Sequence, residues 1–432
     1  MELSTVPPVK LLQDLIRFNT TNPPGNEAEC IAYVNRLLTD AGFETKVLAR
    51  DSARPNLVTR LTGKGNAPPL LLYGHVDVVS TEGQTWQHPP FEGKLVDGYV
   101  WGRGTLDMKG PVAMMISAVL RAKAEGMTPA GDVVLTILSD EERFGDFGAK
   151  YVVENHAHLF QGIRYGIGEF GGFTFYIGRR KFYPIQITEK QICMVQATIR
   201  AQGGHGSFRL PGNVMDQLGH VLLALEHYRA PSHLTPPARR MIKGMASGLS
   251  FPSNLALRQL LNPRLTDAVL KLLGSKSQAL EPMFRTILTP YAVTGTLVPS
   301  EINLTIVGRL LPGHKPEDMV RELHSAIGDQ VQLEVIRFDP GPPEPDMGLF
   351  DTLAGILREA DADGVPVPYL VPFVTDARFF GRLGIQTYGF TPMRLRHDLK
   401  LWELAHGADE RIPADAVNFG TDMIYKLLQR FR

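Results

Sequence analysis

Residues 133–145 read "VVLTILSDEERFG". An unbroken apolar and β-branched run, Val133 to Leu138, is followed directly by Ser139 and three adjacent acids, Asp140, Glu141 and Glu142. A half-exposed strand alternates apolar with polar positions. This run does not, and it predicts a strand buried on both faces, as in a parallel sheet covered by helices. Ligands of open α/β sheets bind beyond the carboxyl ends of such strands. Neighbouring carboxylates placed there repel one another unless a cation or a shared proton compensates. The stretch therefore points to a buried sheet and to a charged ligand at its edge.

The same regime extends to both sides. "AECIAYVNRLLTDAG" reads as a helix closed by Gly42, "NLVTRL" and "PLLLYGHVDVV" as strands, and "PVAMMISAVLRAKAEG" as the next helix. It resumes near the end with "DTLAGILREA", "GIQTYGF" and "DAVNFGTDMIYKLLQRF". The pattern implies an α/β fold with a mainly parallel sheet and helices on both faces. The middle differs. "KQICMVQATIRAQ", "EINLTIVGRLLPG" and "QVQLEVIRF" alternate like half-exposed antiparallel strands, and "PEDMVRELHSAIG" is a helix opened by Pro316 and closed by Gly328. These patterns divide the chain into 1–189, an inserted α+β domain at 190–343, and 344–432.

Among the 432 residues, 45 basic side chains balance 45 acidic ones, so no global charge favours nucleic acid or an anionic membrane. No apolar run approaches the ~20 residues of a membrane span. Cys30 and Cys193, without metal spacing, read as buried free thiols, which suits the reducing cytoplasm.

Potential metal ligands cluster at strand and loop ends. His75 and Asp77 in "YGHVDVV" share one side of an extended chain, because side chains alternate. Asp107 lies in "GRGTLDMKG", Glu142 in the acidic run, Glu169 in "GIGEFGG" and His406 in "HGADE". Taken singly, each admits a structural reading: Asp107 as a cap of the following helix, Glu169 as an arginine partner, His406 as a turn residue, the acids as a solvated helix start. Their joint order, with glycines beside each, favours metal. Imidazole with several carboxylates suits two bridged Zn2+ ions, and the same donors accept Co2+ or Mn2+.

The ordered set "GHVDVV", "GRGTLDMKG", "SDEE", "GEFGG", "GGHGS" and "HGADE" resembles the di-zinc metallopeptidases that include glutamate carboxypeptidase, aminoacylase, acetylornithine deacetylase and succinyl-diaminopimelate desuccinylase. The resemblance implies a catalytic α/β domain with an inserted lid that in many members also dimerises, hence a homodimer. By position, His75, Asp107 and Glu169 would hold one zinc and Asp107, Glu142 and His406 the other. Asp77 would accept from the His75 imidazole, Glu141 would be the general base, and His205 would donate to the oxyanion, often from the partner subunit. Arg309 is a candidate clamp for a substrate carboxylate, with Asn303 and Arg378 as further contacts. The expected reaction is hydrolysis of an amide bond in an N-acyl amino acid or small peptide with a free carboxylate. A carboxypeptidase or dipeptidase is the alternative within the same chemistry. A non-catalytic metal-binding scaffold is the alternative outside it.

Overall fold

A computed structural model describes residues 6–201, 212–274, 280–295, 300–341 and 344–432. The strands in chain order are β1 (Thr45–Leu48), β2 (Asn56–Leu61), β3 (Leu70–His75), β4 (Lys94–Val96), β5 (Tyr99–Trp101), β6 (Val133–Leu138), β7 (Tyr165–Gly168) and β8 (Phe175–Ile177). Then follow β9 (Arg180–Glu189), β10 (Gln191–Arg200), β11 (Ile287–Gly295), β12 (Glu301–Leu310), β13 (Gln332–Asp339), β14 (Val365–Val371), β15 (Gln386–Gly389) and β16 (Arg411–Pro413). The chain forms two compact units, one of residues 1–187, 346–369 and 375–432, the other of 188–345 with 370–374.

The large sheet runs β1-β2-β6-β3-β7-β15-β9-β14, with β8 on β9. Its centre, β6-β3-β7-β15, is parallel. The β1–β2 and β2–β6 pairs are antiparallel. Every position of β3 and β6 is buried. Alternation explains how. Leu70, Leu72, Val133, Leu135 and Ile137 pack with the helices Pro8–Ile16, Ala28–Asp40, Lys109–Ala124, Phe350–Ala360 and Ala414–Arg430. Leu71, Tyr73, Val134 and Leu138 point to the opposite face and pack with Ala149–His156 and Ala377–Gly381. Cys30 and Cys193 are both buried and free.

The second unit holds a four-stranded antiparallel sheet, β11-β12-β10-β13. Cys193, Val195, Ala197 and Ile199 on β10 and Ile302, Leu304 and Ile306 on β12 face the helices Val214–His227 and Pro316–Ile327.

The strands β11 and β14 were not legible in the sequence, for a shared reason. Pro290 lies in β11, and Pro366 and Pro368 lie in β14, where proline argues against a strand. Both are outermost strands of their sheets, paired on one side only, where proline is tolerated, and the β11 register shifts beside Pro290.

Candidate metal centre

The order β6-β3-β7 sets three parallel carboxyl ends side by side. His75 is the last residue of β3, Glu141 and Glu142 follow β6 after one tight turn, and Glu169 follows β7 directly. Asp140 makes that turn with φ 69°, a left-handed conformation that aspartate tolerates better than most residues, and Glu141–Arg143 form a single 3-10 turn. Two loops reach the same edge. Asp107 precedes the helix Lys109–Ala124 and His406 precedes β16, whose antiparallel pairing with β5 places Arg411 opposite Trp101. A β-carbon on Gly74 would lie 2.7 Å from the Met108 methyl and 2.9 Å from a Val112 methyl, so glycine beside His75 leaves room for these two side chains.

The side chains converge in two groups that share Asp107: His75, Asp107 and Glu169, and Asp107, Glu142 and His406, the donor atoms of each group lying within 4.8 Å of one another. His75 Nε2 is 3.2 Å from Asp107 Oδ1, 3.5 Å from Glu169 Oε2 and 3.9 Å from Glu141 Oε2. His406 Nε2 is 3.1 Å from Asp107 Oδ2 and 3.2 Å from Glu142 Oε1. Donors at about 2.1 Å around a tetrahedral ion are separated by about 3.4 Å, close to these spacings. His75 Nε2 is buried and makes no well-formed hydrogen bond, although carboxylate oxygens surround it. Both groups thus fit a divalent cation.

The electrostatics follow from burial and crowding. Burial pushes the Glu141 carboxyl well above its ordinary range; the His75 charge opposes this, and the charges of Asp376 and Glu142 add to it. Burial and then the Glu141 charge push Glu169 the same way. Glu142 is raised by burial and by Asp107. Burial also works against the charged form of Asp107, but the His406 and His75 imidazoles outweigh it and hold its carboxyl well below the usual range. His406, between Asp107 and Glu142, is raised to about 11. Such mutual displacement is what several carboxylates and two imidazoles produce when they are buried close together, and a cation between them would relieve it.

Asp77 supports this edge from behind. His75 Nδ1 lies 3.0 Å from the Asp77 carbonyl oxygen and 3.4 Å from its Oδ1, so the imidazole's nearer acceptor is the backbone of Asp77. The Asp77 carboxylate also accepts the N–H of Glu141 at Oδ1 and of Glu142 at Oδ2, both at 3.1 Å, and Asn22 Nδ2 at 2.9 Å. Asn22 also donates to Asp140 Oδ1 at 3.1 Å. Arg54 bonds Glu27 through two nitrogens, at 2.8 and 3.2 Å, and Asp140 at 2.9 Å. Asn22 and Glu27 belong to "NTTNPPGNE", which reads in sequence as turn and cap residues; polar side chains crowded among prolines and glycine were the available signal.

His205 lies outside the described residues. Asn303 and Arg309 are on β12 of the second unit, at positions alternating with the buried Ile302, Leu304 and Ile306. Asn303 Oδ1 accepts from Thr198 Oγ1 at 2.8 Å, and burial lowers the pKa of Arg309. Arg378, buried in Ala377–Gly381, donates through Nη1 to the Thr375 carbonyl at 2.5 Å and stacks 4.4 Å from the Phe379 ring. Its charge also acts on Glu141, favouring the ionised carboxylate.

The family model described as peptidase family M20/M25/M40 matches residues 71–430. Among curated relatives, a probable carboxypeptidase S-like 2 of Dictyostelium discoideum is 28% identical over 376 residues, covering 84% of this chain and 71% of its own. The N-fatty-acyl-amino acid synthase/hydrolase PM20D1 of Xenopus tropicalis is 26% identical over 379 residues, covering 84% of this chain and 72% of its own. The fold is similar to that of an M20 family metallo-carboxypeptidase from Sulfolobus solfataricus, with TM-score 0.70 and 15% identity over 98% of both chains. Together with a family match over most of the chain, these findings make the protein a hydrolase of peptide or amide bonds that belongs to peptidase family M20/M25/M40.

Proposed function

We propose that this hydrolase cleaves the amide bond of an N-acyl amino acid, or of a small peptide, that carries a free carboxylate. The observation that carries the reading is the pair of ligand groups sharing Asp107, with the Glu141 carboxylate 3.9 Å from His75 and no ligand place of its own. His75, Asp107 and Glu169 would hold one divalent cation, and Asp107, Glu142 and His406 the other. Zn2+ suits the mixed imidazole and carboxylate donors, and Co2+ or Mn2+ could replace it. Bound there, such cations supply Lewis acidity toward the scissile carbonyl and lower the pKa of a water.

Glu141 takes a proton from the attacking water and returns it to the leaving nitrogen, so that one carboxylate serves as base and then acid. Asp77 orients Glu141 and Glu142 through their backbone N–H groups. His205 donates to the developing oxyanion. Arg309 receives the substrate carboxylate, with Asn303 and Arg378 as further contacts. The first unit is the catalytic domain, and the second is a lid through which a homodimer forms. The enzyme works in the cytoplasm, where the thiols of Cys30 and Cys193 stay reduced.

A relative named for N-fatty-acyl amino acids supports the deacylase reading, and one named as a carboxypeptidase supports the peptidase alternative. Metal analysis joined to a panel of short- and long-chain N-acyl amino acids, dipeptides and carboxy-terminal peptides separates them. Turnover confined to N-acyl amino acids is the expected result. Turnover confined to peptides would select the alternative, and bound metal with no turnover on any arm would select a scaffold.

A further inference from the structure

Behind the Asp107–Glu142–His406 group stand polar residues with no part in the reading above. Glu410 is fully buried, and its carboxylate accepts four hydrogen bonds: from Arg103 Nη1 at 2.6 Å and from the backbone N–H groups of Gly104 at 3.0 Å, Leu106 at 2.7 Å and Asp107 at 3.2 Å. Arg103, only 1% exposed, uses its other terminal nitrogen to reach the His406 carbonyl at 3.0 Å and Gln84 Oε1 at 2.9 Å. Gln84 Nε2 donates to the same His406 carbonyl at 2.9 Å. The Arg103 guanidinium lies 5.3 Å from the centre of the Trp86 ring.

One planar fork therefore ties the loop carrying Asp107, through Glu410, to the residue carrying the second imidazole. His406 needs such restraint. It sits at φ 65°, with a half-exposed side chain, in a loop rather than a strand. His75 and Glu169 are placed by other means, at the ends of β3 and β7 and against Asp77. A buried ion pair is weak evidence of a stability device, since apolar replacements are often neutral or better. Here the hydrogen bonds of the pair end on the backbone of two prospective ligands, and a point charge could not make them together.

We infer that Arg103, held by Glu410, is a positioning residue that through the His406 carbonyl sets the affinity of the Asp107–Glu142–His406 group for a divalent cation, selectively over the His75–Asp107–Glu169 group. The inference rests on the two-cation reading of the site. Supporting groups of this kind are worth about 10- to 100-fold in metal affinity.

The test is stepwise Co2+ titration of the metal-free full-length protein, followed by visible absorption and by elemental analysis. The parent should take up two equivalents. Arg103→Lys keeps the charge and loses the fork; it should bind the first equivalent much as the parent does and the second about 10- to 100-fold more weakly. Gln84→Leu, which removes one bond to the His406 carbonyl and one to Arg103 but leaves the Arg103–Glu410 pair in place, should weaken the second equivalent by a smaller factor, and it keeps the test open should Arg103→Lys fold poorly. Melting of the metal-free variants reads the fold separately. Two equivalents bound with parent affinity in both variants would overturn the inference, as would equal weakening of both steps, whether or not the metal-free melting temperature falls. A parent that takes up no Co2+ would instead defeat the two-cation reading beneath it.

Discussion

Asp77 Oδ1 accepts the backbone N–H of Glu141 at 3.1 Å, and Oδ2 accepts that of Glu142 at the same distance. One carboxylate thus fixes two successive residues of the acidic run through their main chain, leaving both side chains for other work. Adjacent acids on a tight turn point in different directions. Glu142 lies against His406, while Glu141 lies on the His75 side.

Replacing Asp77 by Asn keeps the shape but puts an NH2 where an oxygen accepted, so at least one N–H of this turn loses its partner. The loss should destabilise the fold by about 1 to 3 kcal/mol and weaken metal binding by about 10- to 100-fold. Urea unfolding and metal titration read the two effects; unchanged values in both would deny Asp77 its orienting role.

Glu141→Gln should leave metal stoichiometry at the parent value, because Glu141 belongs to neither ligand group. Its kcat should fall by about 100-fold or more, the contribution of a positioned acid and base. A kcat close to that of the parent would remove Glu141 from proton transfer.

Chelation should abolish hydrolysis and lower the melting temperature, since the cation binds the folded site and relieves its crowded carboxylates. At free metal near 100 times Kd, each ion stabilises by about 2.7 kcal/mol. Calorimetric scans across a metal titration measure this. A melting temperature indifferent to metal would argue against a site assembled as described.

Arg54 neutralises two buried carboxylates, Glu27 and Asp140, and Gly25, at φ 79°, lies so close that a β-carbon there would sit 2.2 Å from Arg54 Nε. Arg54→Met should cost about 3 to 5 kcal/mol by leaving those charges unpaired. Denaturant unfolding reads it, and a loss below about 1 kcal/mol would show that the pair matters little.

Lys190 supplies the pH prediction. It is 1% exposed, bonds the carbonyls of Arg285 and Arg309, and has its pKa lowered to about 7, first by burial and then by the Arg309 charge. The unfolded chain binds this proton up to its ordinary pKa of 10.5, so between about pH 7 and 10 the unfolded state holds more protons and stability rises with pH. Lys190→Met should flatten that rise. An unfolding free energy with the same slope in both proteins would place the titration elsewhere.

Much of this protein is legible along the chain because the physics involved is local. An unbroken apolar run such as Val133–Leu138 can only be buried on both faces, and glycines beside His75, Asp107 and Glu169 mark places where backbone must come close. The resemblance carried by those motifs led to the family. Tertiary structure alone decided which polar side chains share a neighbourhood. Asn22, Arg54, Arg103 and Glu410 look in sequence like ordinary surface residues, and nothing in their spacing says that they are buried. Their partners lie across as many as 307 positions, as Arg103 and Glu410 do. Hydrogen bonds between such groups carry no periodicity, so their pairing appears only when β6, β3 and β7 stand side by side and β16 lies on β5.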